Sequence, residues 1–319
     1  TGRASVNLNF TAGSQQLARK CSMARIRTVV SARAFLDRIG DPELPVRMLM
    51  AEDLVAGLSK PAVLARMAAV MVVPHGRLDR SRPQQVASIV FSSGTTDQPK
   101  GVQLTHQQIL ANCDGVMEHL ELRPGHDVLA SALPLFHSFG LVPGMWLCLV
   151  EGFTIAAHPD PMDGAALGAV AAATRATFLI GTPSFVRAYM RRIEPEQLSS
   201  LRFAFVGAER CPTELRMAFK ERYHAELLEG YGTTELSPVV SVNTEKDPRD
   251  GSVGRPLPGV EVFTISPETR KILPPGETGE LVVRSPARML GYLDRPDLTD
   301  AAFVHGGYAT GDIGRVDAE

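Results

Sequence analysis

The chain reads as an α/β protein, a largely parallel sheet flanked by helices and followed by a small β-barrel-like subdomain. Three observations predict this. Short apolar runs alternate with stretches of helical periodicity through residues 1–250, and the runs end in loops rich in Gly, Ser or Thr. From Gly251 onward, short strands punctuated by Pro and Gly replace that alternation. At 319 residues the chain is long enough to bury a sizeable core.

The elements follow in order. Val86-Ala-Ser-Ile-Val-Phe91 reads as a buried strand, and Ile109, Leu110, Cys113, Val116, Met117 and Leu120 recur at helical spacing behind a Thr105 cap, which makes strand, loop, helix. Residues 128–132, 177–180, 203–206 and 226–229 are further apolar strands, each leading into a loop. Residues 165–173 are alanine-rich and helix-forming. Strands alternating with helices predict a parallel sheet whose loops gather at the carboxyl edge, in one cleft. Residues 260–265 and 280–284 begin the β-rich part.

Composition excludes several classes. Lys+Arg 33 against Asp+Glu 35, a net charge of -2, provides no basic field for nucleic acid. The most apolar segment, residues 140–150, contains Pro143 and falls far short of the roughly 20 residues of a spanning helix. No signal-peptide pattern is read. Cys21, Cys113, Cys148 and Cys211 form no CxxC pair and suit packing thiols in a reducing compartment. The histidines show no metal-ligand spacing.

Phe91-Ser-Ser-Gly-Thr-Thr-Asp-Gln-Pro-Lys-Gly-Val102 concentrates hydroxyls, glycine and a lysine after a strand. Such a run suits a polyphosphate, through backbone N–H groups, hydroxyls and an ammonium, and it equally suits a solvated connector. It is not a Walker A loop, because Pro99 precedes the lysine and Gly101 follows it.

The run resembles the signature of the adenylate-forming superfamily, which includes acyl-CoA synthetases, firefly luciferase and peptide-synthetase adenylation domains. Gly230-Tyr-Gly-Thr-Thr-Glu235 is similar to that superfamily's second ATP motif, Leu133-Pro-Leu-Phe-His-Ser-Phe139 to its acyl gate, and Tyr308-Ala-Thr-Gly-Asp312 to its ribose motif. The resemblance runs from Val6-Asn-Leu-Asn-Phe-Thr-Ala12 to Gly314-Arg-Val-Asp317. It implies a truncated large domain: an AMP-binding core over residues 1–250, a β-rich subdomain over 251–319, and a C-terminal lid domain beyond this chain. A lysine of that lid serves the first half-reaction in the family, so the chain alone is expected to adenylate poorly.

The implied reaction joins a carboxylate to the α-phosphate of ATP, releases pyrophosphate, and passes the acyl group to a thiol. Ser92, Ser93, Gly94, Thr95, Thr96 and Lys100 would cradle the outer phosphates. Gly207, Ala208 and Glu209 would lie beside adenine and Tyr231 would stack on it. Gly232 would let the backbone approach the nucleotide, Thr233 belongs to the same motif, and Thr234 would reach the α-phosphate. Glu235 would hold Mg2+ and Asp312 would bind the ribose hydroxyls of ATP or AMP. With Lys100, Thr234 and Glu235, His137 completes the catalytic set as a gate beside the substrate carboxylate. Asp97 departs from the glycine usual in the family; a carboxylate beside phosphate is unfavourable unless it turns outward or helps the metal. Trp146, Leu147, Phe185 and Val239 suit either pocket wall or core.

Amino-acid-activating relatives commonly carry an aspartate where this chain has His137 and apolar neighbours, so a fatty acid is the implied substrate. Residues 205–210 and 229–243 most resemble the acyl-acyl-carrier-protein synthetase module of bacterial bifunctional 2-acylglycerophosphoethanolamine acyltransferases. That likeness implies acyl transfer to a carrier-protein phosphopantetheine, a fused acyltransferase, lysophospholipid reacylation, and a cytoplasmic parent at the inner membrane face. A long-chain acyl-CoA synthetase, with CoA as acceptor, is the alternative. A nucleotide-binding module without catalysis is the reading of another class.

Overall fold

A computed structural model describes residues 3–72, 82–92 and 99–318. The chain opens with β1 (Ser5–Val6) and a parallel pair, β2 (Thr28–Ser31) and β3 (Arg47–Met50), and then enters the antiparallel β4 (Val86–Ser92) and β5 (Lys100–Thr105). Its middle supplies β6 (Val128–Ser131), β7 (Thr154–Ala157), β8 (Phe178–Gly181), β9 (Phe203–Val206), β10 (Glu226–Gly232), β11 (Val239–Val242) and β12 (Arg255–Pro256). These form a seven-stranded sheet in the order β12-β11-β10-β9-β8-β6-β7. Strands β7, β6, β8, β9 and β10 run parallel, so their carboxyl ends share one edge.

Side chains alternate across these strands, and in the central β8 and β9 both faces are buried, which is why the sequence shows continuous apolar runs there. Phe178, Ile180, Phe203, Phe205 and Leu228 enter one core, where they meet Ile109, Cys113 and Val116 of the helix His106–His119. Leu179, Ala204, Val206 and Leu227 enter the other, against Leu167 of the helix Gly164–Thr174 and Phe219 of the helix Thr213–Tyr223. All four cysteines are free and buried. Thr105 caps its helix as expected, in a reciprocal capping box with Gln108.

After residue 260 come β13 (Glu261–Ile265), β14 (Thr278–Arg284), β15 (Gly291–Tyr292), β16 (Phe303–Val304) and β17 (Gly307–Arg315). Four of them make an antiparallel sheet in the order β13-β14-β17-β16. The fifth, β15, leaves it to pair with β5, completing a sheet in the order β1-β4-β5-β15.

One expectation is corrected. Residues 86–120 are not strand, loop, helix, because β5 intervenes and pairs Ser92 with Lys100. Consequently the Ser92 and Lys100 strands belong to a separate sheet from the parallel one. Lys100-Gly-Val-Gln-Leu-Thr105 is a strand because Val102 and Leu104, two apart, are fully buried in the first core. The apolar segment 140–150 is helical in short turns, Ser138–Leu141, Val142–Trp146 and Leu147–Glu151. No helix among the described residues is long and apolar enough to cross a membrane.

Between β10 and β11 the chain leaves the ladder, and its backbone groups need other partners. The buried amide of Asn112 meets that need. It donates to the carbonyls of Val239 (2.8 Å) and Leu236 (3.4 Å) and accepts from the N–H of Val239 (3.3 Å). Asn112→Leu keeps the volume and strands these groups, so urea unfolding should show a loss of about 2–4 kcal/mol. A loss below about 0.5 kcal/mol would contradict the clamp.

Candidate functional site

The carboxyl edge of the parallel sheet opens into a cavity of about 870 Å³. His137 lines it from the segment after β6, Gly207, Ala208 and Glu209 from the turn after β9, and Tyr231, Gly232, Thr233 and Thr234 from the end of β10. The structure therefore brings three of the motif segments together. Phe185 and Val239 also line the cavity, whereas Leu147 is core and the Trp146 ring stands perpendicular to that of His106.

Local packing fixes these segments. At Gly232 a Cβ would lie 2.1 Å from the carbonyl oxygen of Pro238, so the chain's own return strand requires glycine there. Ser138 and Thr234 share a hydroxyl–hydroxyl hydrogen bond of 3.0 Å, tying the gate segment to the β10 motif. Glu209 is held at the start of the helix Pro183–Tyr189, accepting from the hydroxyl (2.5 Å) and the N–H (3.2 Å) of Ser184. The hydroxyl oxygen of Thr233 is buried and has no hydrogen-bond partner among the described residues. A buried hydroxyl in a cavity wall costs free energy until something bonds to it.

Tyr231 and Asp312 meet directly: the tyrosine hydroxyl donates to Asp312 Oδ2 at 2.6 Å. Burial, together with that carboxylate, raises the Tyr231 pKa, so the phenol keeps its proton. Both residues line a further cavity of about 580 Å³, on the side facing β14 and β17.

Lys100 and Glu235 line neither cavity. Glu235 is 8% exposed, and its Oε1 accepts from the hydroxyl of Tyr292 at 2.9 Å. The ammonium of Lys100 lies over the ring of the same tyrosine, 5.3 Å from its centroid. Ser92 is Lys100's cross-strand partner. Ser93, Gly94, Thr95 and Thr96 lie outside the described residues, as does Asp97.

Sequence reading missed Tyr292, because a Gly-Tyr pair amid turns carries no signal of its own and its partners are remote in sequence. It also missed Lys20. That lysine, on the helix Ser14–Met23, is 7% exposed, and its ammonium lies 5.7 Å from the centroid of the Phe91 ring. Burial lowers its pKa. His137 is exposed at the cavity mouth, yet the surrounding protein removes enough water from its ring to lower its pKa, and the charge of Lys20 lowers it further.

A model of the AMP-binding family, described as AMP-binding enzyme, matches residues 1–293. The chain is 35% identical over 242 residues to a long-chain-fatty-acid–CoA ligase of Escherichia coli O6:H1, covering 74% of this chain and 43% of that protein. It is 36% identical over 249 residues to 4-coumarate–CoA ligase 2 of Oryza sativa subsp. japonica, with coverage of 74% and 43%. It thus spans less than half the length of these curated relatives. O-succinylbenzoate coenzyme A synthetase from Bacillus subtilis, in complex with ATP and magnesium ion, shares the fold, with a TM-score of 0.82 at 21% identity over 99% of this chain and 62% of that one.

A histidine titration followed by NMR should place His137 below the ordinary value of about 6.5. Lys20→Met removes a like charge, so the midpoint should rise in that variant. A wild-type midpoint at or above about 6.5 would refute this electrostatic picture.

Proposed function

This chain belongs to the AMP-binding enzyme family, and we propose that it is the nucleotide-binding core of an acid–thiol ligase that activates a fatty acid with ATP. One observation carries the reading: His137, residues 207–209 and residues 231–234 wall a single cavity in which a buried threonine hydroxyl lacks a partner among the described residues. The cavity's size, about 870 Å³, suits a nucleotide with the head of an acid.

In this reading Tyr231 stacks on adenine between the turn at Gly207 and its own strand, with Ala208 and Glu209 at the base's edge. Asp312, one of whose oxygens is already bonded, offers the other to the ribose. Thr234 and Thr233 present hydroxyls to the α-phosphate, while Lys100, with Ser92, Ser93, Gly94, Thr95 and Thr96, takes the outer phosphates. Glu235 is the carboxylate for Mg2+. Among the described residues no group of three or more His, Cys, Asp or Glu could hold a metal, and a lone carboxylate fits Mg2+, which takes its remaining oxygens from phosphate and water. When bound, the ion would offset the charge of the phosphates. His137, kept neutral by its surroundings, borders the acid without attracting a second carboxylate or offering an ammonium partner.

The relatives support CoA as the thiol acceptor, since both curated proteins are named CoA ligases. The run 229–243 supports a second acceptor, the phosphopantetheine thiol of an acyl carrier protein, and with it a fused acyltransferase that reacylates lysophospholipid at the cytoplasmic membrane face. Supplying each thiol to the parent protein and measuring acyl transfer decides between them.

In the parent protein, pyrophosphate exchange should depend on fatty acids and not on amino acids; the reverse preference overturns the substrate reading. In the present chain, Tyr231→Ala should weaken AMP binding about tenfold in calorimetric titration, the size of one base–aromatic stack. Unchanged affinity would remove Tyr231 from the nucleotide site.

A further inference from the structure

We infer that Tyr292 is a positioning residue that holds Lys100 and Glu235 close together while preventing them from neutralising each other. The inference rests on the nucleotide reading above. Tyr292 is 6% exposed, and the backbone before and after it is bonded to β5. β15 pairs Tyr292 with Val102 and Gly291 with Gln103, while the N–H groups of Leu290 and Leu293 donate to the carbonyls of Gln103 (3.0 Å) and Gly101 (2.7 Å). The ring is therefore fixed beside the strand that carries Lys100.

A phenol offers two different surfaces. Its face is electron-rich and attracts a cation, and its hydroxyl proton seeks an acceptor. Here the face carries the ammonium of Lys100 and the hydroxyl donates to Glu235. Since Tyr292 has one proton and gives it to the carboxylate, the 3.3 Å contact between Tyr292 and Tyr308 hydroxyls has Tyr308 as its donor. The pKa values of both tyrosines are raised, by burial first and by Glu235 next, so the chain of donors stays protonated.

Opposite charges on either side of one ring would ordinarily pair, whereas here each meets the tyrosine, Lys100 its face and Glu235 its hydroxyl. A direct pair would spend both groups on each other. The intervening ring would leave the ammonium for phosphate oxygens, and its hydroxyl, bonded to one carboxylate oxygen, would leave the other for the cation that accompanies them. Tyr292 itself touches no substrate in this arrangement.

The test is calorimetric titration of the full chain with AMP, with ATP and EDTA, and with ATP and Mg2+. Tyr292→Phe removes only the hydroxyl. It should bind AMP within about twofold of wild type and lose about tenfold of the gain in ATP affinity that Mg2+ confers, as expected for one hydrogen bond to a charged group. Tyr292→Leu removes the ring as well, and should in addition bind ATP about threefold more weakly in EDTA. If Tyr292→Phe does not fold, Tyr308→Phe, which removes the donor behind the same hydroxyl, provides the comparison. A full Mg2+ gain in the hydroxyl-deleted variant overturns the inference. So does an equal loss for AMP and for ATP with Mg2+, which a merely structural tyrosine would give. Wild-type protein that binds no nucleotide refutes the nucleotide reading itself, a result distinct from either.

Discussion

The geometry of the site depends on a single buried amide. Between β10 and β11 the chain must abandon the ladder to present Thr233, Thr234 and Glu235, and a stretch without ladder partners cannot remain buried unless something else satisfies its backbone. Asn112, projecting from the first helix after β5, does this from below with both its donor and its acceptor. The missing Cβ at Gly232 lets the returning carbonyl of Pro238 close against the strand end from the other side. Held between these contacts, three consecutive side chains face different neighbours: Thr233 the cavity, Thr234 the hydroxyl of Ser138, and Glu235 the hydroxyl of Tyr292.

Charge is distributed around this segment with little direct pairing. Lys20 is buried against an aromatic ring, Lys100 rests on another, and Glu235 is bonded to a neutral phenol. Elsewhere the molecule behaves differently. Asp127, almost fully buried, is matched with Arg202 at 2.9 Å and further bonded by Thr177. The contrast separates charges that stabilise the fold, which meet their opposites, from charges near the motif segments, which rest on an aromatic ring or bond a phenol hydroxyl.

Sequence made the parallel sheet readable because strands buried on both faces are continuous apolar runs, as at residues 203–206, and because Thr105 marks its helix by a short-range capping signal. It also showed that residues 133–139, 207–209 and 230–235 follow strand ends, from which their convergence on one cavity follows. β5 was hidden because its first residues, Lys100 and Gly101, read as the end of a polar loop, and its alternation is only a few residues long. Tyr292 and Lys20 were hidden for another reason. Their importance lies in partners distant along the chain, and neither a Gly-Tyr pair nor a polar helix encodes those partners locally. Asp312 was legible as a residue, whereas its bond to Tyr231 belongs to the packing of β17 against β10 and has no local signal.

The pairing of β15 with β5 also bears on how the protein is made. On a ribosome the β4–β5 pair emerges long before Gly291 and Tyr292 exist, so the outer edge of β5 waits with unpaired N–H and C=O groups above a strand as apolar as Val102 and Leu104. Bare edges of that kind recruit other strands. The nascent chain must therefore protect this edge by another route until residues 291 and 292 have been synthesised, and truncation before residue 291 leaves an aggregation-prone surface where the longer chain has a sheet.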